Sequence, residues 1–284
     1  MSESVFDKIG AAYYQLTAAE KKTADFIMDN RQRSQYLSIA ELAEYSGVAE
    51  ATVSRFCRRL GYKGFNAFKL AIANASAVSL PDSGVLSGPV EEDDTIEAMS
   101  QKLYAADHAA MVQTLELIRP ETIRQAAGML YDAGRVACMG QGGSMLLAQE
   151  ATHLFNTVSC KFFAVADSHT QVMTAVNMDP GDVIFFFSFS GATKDLLDTM
   201  EAARSRGVKT LLLTRFPKSP GAVLADVVLP CGSNESPLQL GSVPARIAQL
   251  FLLDVLYSEY CRRDLETCRQ SRTRIAAVLE GKHL

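Results

Sequence analysis

No other stretch constrains this chain as much as Asp182-Val-Ile-Phe-Phe-Phe-Ser188-Phe-Ser190-Gly191-Ala-Thr193. Five consecutive apolar residues, Val183 to Phe187, fall far short of the roughly 20 needed to cross a bilayer. They fit a strand buried on both faces. Two serines, a glycine and a threonine follow, and Lys194-Asp195-Leu196-Leu197 then reads as the start of a helix. A strand that empties into such a turn gathers free backbone N–H groups and hydroxyls at a helix N-terminus. That arrangement suits an anion such as a phosphate. An ordinary N-cap turn needs one Ser or Thr, whereas here Ser188, Ser190 and Thr193 fall within six residues.

The surrounding pattern supplies the rest of a domain. Val136–Met139, Phe162–Val165, Val183–Phe187, Thr210–Leu213 and Val227–Leu229 read as strands, and Ser144–Phe155, Thr170–Asn177, Thr193–Arg206 and Val243–Tyr260 as helices. Strand–helix alternation predicts an α/β domain, a parallel five-stranded sheet flanked by helices. In such sheets ligands bind beyond the carboxyl ends of the strands. The loops gathered there include Gly140-Gln-Gly142-Gly143-Ser144, Asp167-Ser-His169, Ser188–Thr193 and Asn234-Glu235-Ser236. A dinucleotide fingerprint fails because Met145 stands where Gly or Ala is required, and a P-loop fails because no Gly-Lys-Ser/Thr follows.

The first eighty residues carry a different charge. They hold ten Lys/Arg and eight Asp/Glu of totals of 28 and 32, which leaves 18 basic and 24 acidic residues beyond them. Thr17-x-x-Glu20 and Ser38-x-x-Glu41 are capping boxes, predicting an all-α domain with helices to about Asn30 and from Ser38 to Ser46-Gly47. A third helix runs from Glu50 to Leu60, with Val53 and Phe56 toward the core. Two short helices joined through a glycine form a helix-turn-helix pattern. Glu50, Ala51, Thr52, Ser54, Arg55, Arg58 and Arg59 are then expected on the exposed face or its edges. In a major groove Arg55 would meet a guanine edge or phosphate and Thr52 a base or phosphate. Arg58, Arg59 and Lys63 would lie on the phosphate backbone. The alternative is a three-helix packing module with a solvated basic face.

The block Ser38–Phe68, above all Ala51-Thr-Val-Ser-Arg55-Phe56-Cys-Arg-Arg-Leu60-Gly61-Tyr-Lys-Gly64-Phe65, resembles the N-terminal domain of RpiR-type (MurR/RpiR) bacterial transcriptional regulators. It departs from them at Ala49, where the family has Ser or Thr; the missing cap costs about 1 kcal/mol of helix stability and one phosphate contact. Gly140-x-Gly142-x-Ser144 and Ser188-x-Ser190-Gly191-x-Thr193 together resemble the sugar isomerase (SIS) domain, over about residues 120–265. The resemblance implies a regulator whose operator affinity is controlled by a phosphorylated sugar. Ser188, Ser190 and Thr193, with N–H groups near Gly191, would hold the phosphate. Ser144 would meet the sugar where Gly142 and Gly143 allow close approach, and His169 and Glu235 would contact hydroxyls.

The expected layout is a DNA-binding domain over 1–77, a Ser/Gly/Pro-rich linker over 78–94, and a sugar-phosphate domain with leading helices over 95–284. The expected partners are double-stranded operator DNA, a phosphorylated sugar and further copies of the chain in a homodimer or homotetramer, with no membrane and no cofactor. The six cysteines form no Cys-x-x-Cys pair and the four histidines no ligand cluster, so reduced thiols, no metal and a cytoplasmic location are expected. The N-terminus lacks the basic and apolar regions of a signal peptide. The competing function is a sugar-phosphate aldose–ketose isomerase, which needs a base at the carbon-bound proton. His153, His169, Glu150 and Glu235 would be its candidates, but no spacing selects a pair among them, and no catalytic residue is assigned.

Overall fold

The computed structural model describes residues 4–77, 88, 90–232 and 243–281. The chain divides into two compact units, Met1–Val112 with Gly232–Ala245, and Gln113–Cys231 with Arg246–Leu284. Most of the expected linker, 78–87 and 89, lies outside the described residues.

The first unit is helical: α1 (Val5–Ala12), a 3-10 turn (Tyr13–Gln15), α2 (Ala18–Asp29), α3 (Arg31–Ser34), α4 (Ile39–Ser46), α5 (Glu50–Arg59), α6 (Phe65–Ala77) and α7 (Ile96–Leu117) as far as Val112. Both capping boxes form. Thr17 Oγ1 accepts from Glu20 N while Glu20 accepts from Thr17 N at 2.9 Å, and Ser38 and Glu41 repeat the exchange. Gly47 closes α4 in the left-handed region, and Ala49 caps α5 without a side-chain bond, as the sequence pattern predicts. Helices α1 and α6 lie outside that pattern. Val5, Phe6 and Ile9 on one, and Phe68 and Ile72 on the other, recur at three- and four-residue spacing and are buried. Phe68 meets the edges of Phe56 and Tyr62 at 5.6 and 5.4 Å between centroids. Burying each such ring contributes about 2–3 kcal/mol, and this anchors α5.

The remaining elements are α8 (Pro120–Asp132), β1 (Val136–Gly140), α9 (Gly143–Asn156), β2 (Phe162–Val165), α10 (Ser168–Asn177), β3 (Val183–Phe187), α11 (Lys194–Ser205), β4 (Lys209–Thr214), α12 (Pro220–Leu224), β5 (Val227–Pro230), α13 (Val243–Arg262) and α14 (Leu265–Glu280). All five expected strands form one parallel sheet in the order β2-β1-β3-β4-β5. Alternate residues divide between two cores. Val183, Phe185 and Phe187 pack with α8, α9 and α13, while Ile184 and Phe186 pack with α10 and α11. Covering on both faces explains why β3 is continuously apolar rather than alternating.

The start of β3 is tied to β1 by one carboxylate. Buried Asp182 accepts Arg135 N at 2.9 Å, the Arg135 guanidinium at 2.6 and 3.1 Å, and Asp179 N at 3.1 Å. Burial pushes its carboxyl up, but these hydrogen bonds and the Arg135 charge outweigh burial and hold it below the usual carboxylate range. A depressed carboxylate contributes stability that is complete above the unfolded value of about 4 and is lost as pH falls through the folded value. Asp182→Asn is therefore expected to cost roughly 1–3 kcal/mol at pH 7, since it turns an amide donor toward other donors. Urea unfolding across pH is expected to show the difference from wild type narrowing below about pH 4.

Candidate functional site

Parallel pairing puts Gly140 opposite Phe187, so β1 and β3 end level and their two turns leave the sheet side by side. The chain passes from β1 outward to β2 and returns to β3, which makes the β1/β3 boundary the topological switch point where such sheets bind ligands. Gly142 caps α9 with φ +54°, Gly143 begins the helix, and Ser144 is half-buried in its first turn. Arg246 reaches this turn: a Cβ on Gly143 would lie 3.3 Å from its guanidinium. Thr193 caps α11 by position alone, exposed and with no hydroxyl bond into the helix. Two helix N-termini and one nearby cation make an anion-favouring edge, although Ser144 N and Met145 N of α9 already donate to Gln141 O and Gly142 O at 3.0 Å.

The hydroxyls of the β3 turn divide the work. Ser188 is 7% exposed, and its Oγ accepts Gly191 N at 3.1 Å, so it shapes the turn from inside. Ser190 is half-buried and accepts Ala192 N at 3.3 Å. His169 is exposed in the first turn of α10, where Asp167 caps the helix through Thr170 N. Hydrogen bonds from Thr170, backbone and side chain, hold the Asp167 carboxyl below its ordinary value. Glu235 lies outside the described residues.

The floor of the site is not apparent from sequence pattern. Phe189 O accepts Thr214 Oγ1 at 3.0 Å and Arg215 N at 3.1 Å, and Gly191 O accepts Gly221 N at 2.8 Å. Ser219, fully buried as the cap of α12, fills the space against Gly191. Gln171 is buried beneath the β1 turn; its amide donates to Gly140 O and Val165 O, and its oxygen accepts from Gln141. Thr214, Ser219 and Gln171 are ordinary polar letters in the sequence, and only their burial marks them.

On the helical unit the structure corrects one expectation, that for Thr52, and gives Arg59 partners within the unit. Thr52, expected on the exposed face or its edges, is 6% exposed, and its hydroxyl accepts Arg55 Nη2 at 3.3 Å. Arg59, expected on a phosphate, is committed within the unit. Its Nε pairs with Glu20 at 3.2 Å and its Nη1 donates to Gln15 O at 2.9 Å. Glu20 is itself buried; burial raises its carboxyl, but the Thr17 bonds and Arg59 leave it net lowered. Arg55, Arg58 and Lys63 are exposed and Ser54 half-buried. Among the described residues no helix is long and apolar enough to cross a membrane, and no three His, Cys, Asp or Glu side chains converge as a metal site.

Comparison with known proteins agrees with both halves of this geometry. Residues 4–79 match the helix-turn-helix domain of the rpiR family, and residues 129–259 match the SIS domain. An uncharacterized HTH-type transcriptional regulator of Caldanaerobacter subterraneus subsp. tengcongensis is 34% identical over 241 residues, 85% of this chain and 84% of that protein. The HTH-type transcriptional regulator HexR of Pseudomonas aeruginosa is 31% identical over 254 residues, 89% and 88% of the two chains. In fold, the Vibrio vulnificus NanR protein complexed with ManNAc-6P superposes with a TM-score of 0.64 at 23% identity, covering 99% of this chain and 100% of that one. A helix-turn-helix domain joined to a SIS domain defines a class of transcriptional regulator. This chain belongs to the rpiR family within it.

Gly191 tests how tightly the β3 turn is built. Its φ is +61°, and an added Cβ would stand 2.1 Å from Ser219 Oγ and 2.8 Å from Ser219 Cβ. Gly191→Ala is expected to lower unfolding stability by about 2 kcal/mol or more, combining backbone strain of about 1–3 kcal/mol with the clash. Thermal unfolding of the variant alongside Ser219→Gly checks the cause: the double variant is expected to recover the steric part and keep the strain.

Proposed function

We propose that the chain is an effector-gated regulator that binds palindromic double-stranded operator DNA as a homodimer or homotetramer. A phosphorylated sugar held at the β1/β3 edge controls its operator affinity. Residues 1–77 act on DNA, 78–94 link, and 95–284 sense the effector. The observation that carries this reading is the level ending of β1 and β3, which sets two glycine- and hydroxyl-rich turns side by side in a chain whose other unit is a helix-turn-helix. The ManNAc-6P bound to the NanR protein supports the ligand class.

In this reading Thr193 and Ser190, with the first-turn N–H groups of α11, take the phosphate, and Ser188 keeps the turn in shape for them. Ser144, Gly142 and Gly143 face the sugar, with Arg246 beside them, and His169 and Glu235 take hydroxyls. A sensor must release its ligand unchanged, so no catalytic base is assigned. Effector binding biases the relative placement of two recognition helices, and the operator senses that difference. Arg55, held by Thr52, reads a base edge or phosphate; Arg58, Lys63 and Ser54 lie along the backbone, and Arg59 holds the module together. Operator binding places the work in the cytoplasm.

Fluorescence anisotropy of a labelled operator with a panel of sugar phosphates tests the reading: one compound is expected to change the affinity without being consumed. Turnover of any of them with no change in DNA affinity overturns it. Ser190→Ala/Thr193→Ala is expected to abolish the response and leave operator binding intact; loss of both would show that the two roles are not separable. A salt titration separates the arginines. Arg55→Ala is expected to cost about 1–3 kcal/mol of specific binding, and Arg58→Ala to reduce the salt slope by about one. Arg59→Ala is expected to lower unfolding stability with little change in that slope.

A further inference from the structure

Two cysteines outside both sites face each other where α13 meets α14. Cys261 lies in the last turn of α13 and Cys268 in the first turn of α14, each 6% exposed. The turn between them is tight: Asp264 N donates to Cys261 O at 3.2 Å and Cys268 N to Asp264 O at 3.1 Å. Both side chains are buried in the same apolar cluster. Arg272, one turn farther along α14, donates to Tyr257 Oη at 2.8 Å and to Cys261 Sγ at 3.5 Å.

From this arrangement we infer that Cys261 and Cys268 are a reversible modification site, a dithiol that a peroxide converts to an intramolecular disulfide between α13 and α14. The two sulfurs are not equivalent: Arg272 Nη2 stands 3.5 Å from Cys261 Sγ, while burial and the neighbouring Cys261 push the Cys268 thiol up to about 11. On that geometry Cys261 is assigned as the attacker and Cys268 as the resolving partner. The Cys261 thiolate attacks one peroxide oxygen, the O–O bond breaks, and the departing oxygen takes a proton and leaves as water or an alcohol. The resulting Cys261 sulfenic acid is attacked by Cys268: an S–S bond forms, the S–O bond breaks, and the hydroxyl leaves as water with the Cys268 proton. Two electrons pass from the thiols to the peroxide, and an external dithiol reverses the change.

Cys57, Cys138 and Cys160 do not share this setting. Burial pushes Cys57 and Cys138 each up to about 12, inside separate cores and without a cation against the sulfur. Cys160 is exposed and serves as the internal standard for peroxide dose. Beyond Ser271 the residues of α14 are exposed, and admission of peroxide requires α14 to part from α13 at that end. The bridge would then fix α14 against α13.

The test is a hydrogen peroxide titration of the full chain, with remaining thiols alkylated before a non-reducing tryptic digest. Arg262 and Arg263 lie between the two cysteines, so the peptides 247–262 and 264–269 separate unless bridged. The expected product is those two peptides joined, lighter by two hydrogens and released by dithiothreitol. Finding both cysteines alkylated at doses that oxidise Cys160, or either one bridged elsewhere, overturns the proposal. Cys268→Ser is expected to lose the bridge and accumulate a dimedone adduct on Cys261; an adduct on neither Cys261 nor, in Cys261→Ser, on Cys268 also overturns it.

Discussion

Everything in the second unit follows from the register between β1 and β3. Pairing Val136 with Val183 at one end requires Gly140 to meet Phe187 at the other, so two turns that are far apart in the chain leave the sheet together. Asp182 secures the near end by gathering the N–H and guanidinium of Arg135. In a parallel sheet a slip of one residue would exchange the residues facing the two cores. It would also separate the turns along the edge, so the same pairing that buries the phenylalanines of β3 also positions the site.

The site is built in two layers with different chemistry. The outward group Thr193 is exposed and makes no hydroxyl bond into α11. Beneath it Ser188, Thr214, Ser219 and Gln171 spend their hydrogen bonds on the turns themselves. Buried polar groups of this kind are costly unless satisfied, and here satisfying them makes the turns rigid. The helical unit repeats the division: of neighbouring arginines on α5, Arg58 faces solvent while Arg59 is drawn onto buried Glu20.

Much of this was legible in order along the chain. The capping boxes at Thr17 and Ser38 are local hydrogen-bond exchanges, so four-residue patterns announce them. Both-face burial gives β3 a continuous apolar run that cannot be mistaken for an exposed strand. The helices α1, α6 and α14 were less legible because none carries a capping box, and only tertiary packing buries Val5, Phe6 and Ile9 of α1 and Phe68 and Ile72 of α6. Thr52 departs from the expected face because helical spacing tells which residues share a face, but not how wide a face the neighbouring helices cover.

The sequence alone determined the local chemistry, namely a glycine- and hydroxyl-rich turn after each of two apolar strands and a basic helix behind a glycine turn. Those depend on propensity, capping and periodicity, which act over a few residues. Only the tertiary structure decided which hydroxyls face outward, which arginine is free, and that β1 and β3 end level. These depend on packing between segments up to some fifty residues apart, and on which polar groups burial obliges to find partners within the fold.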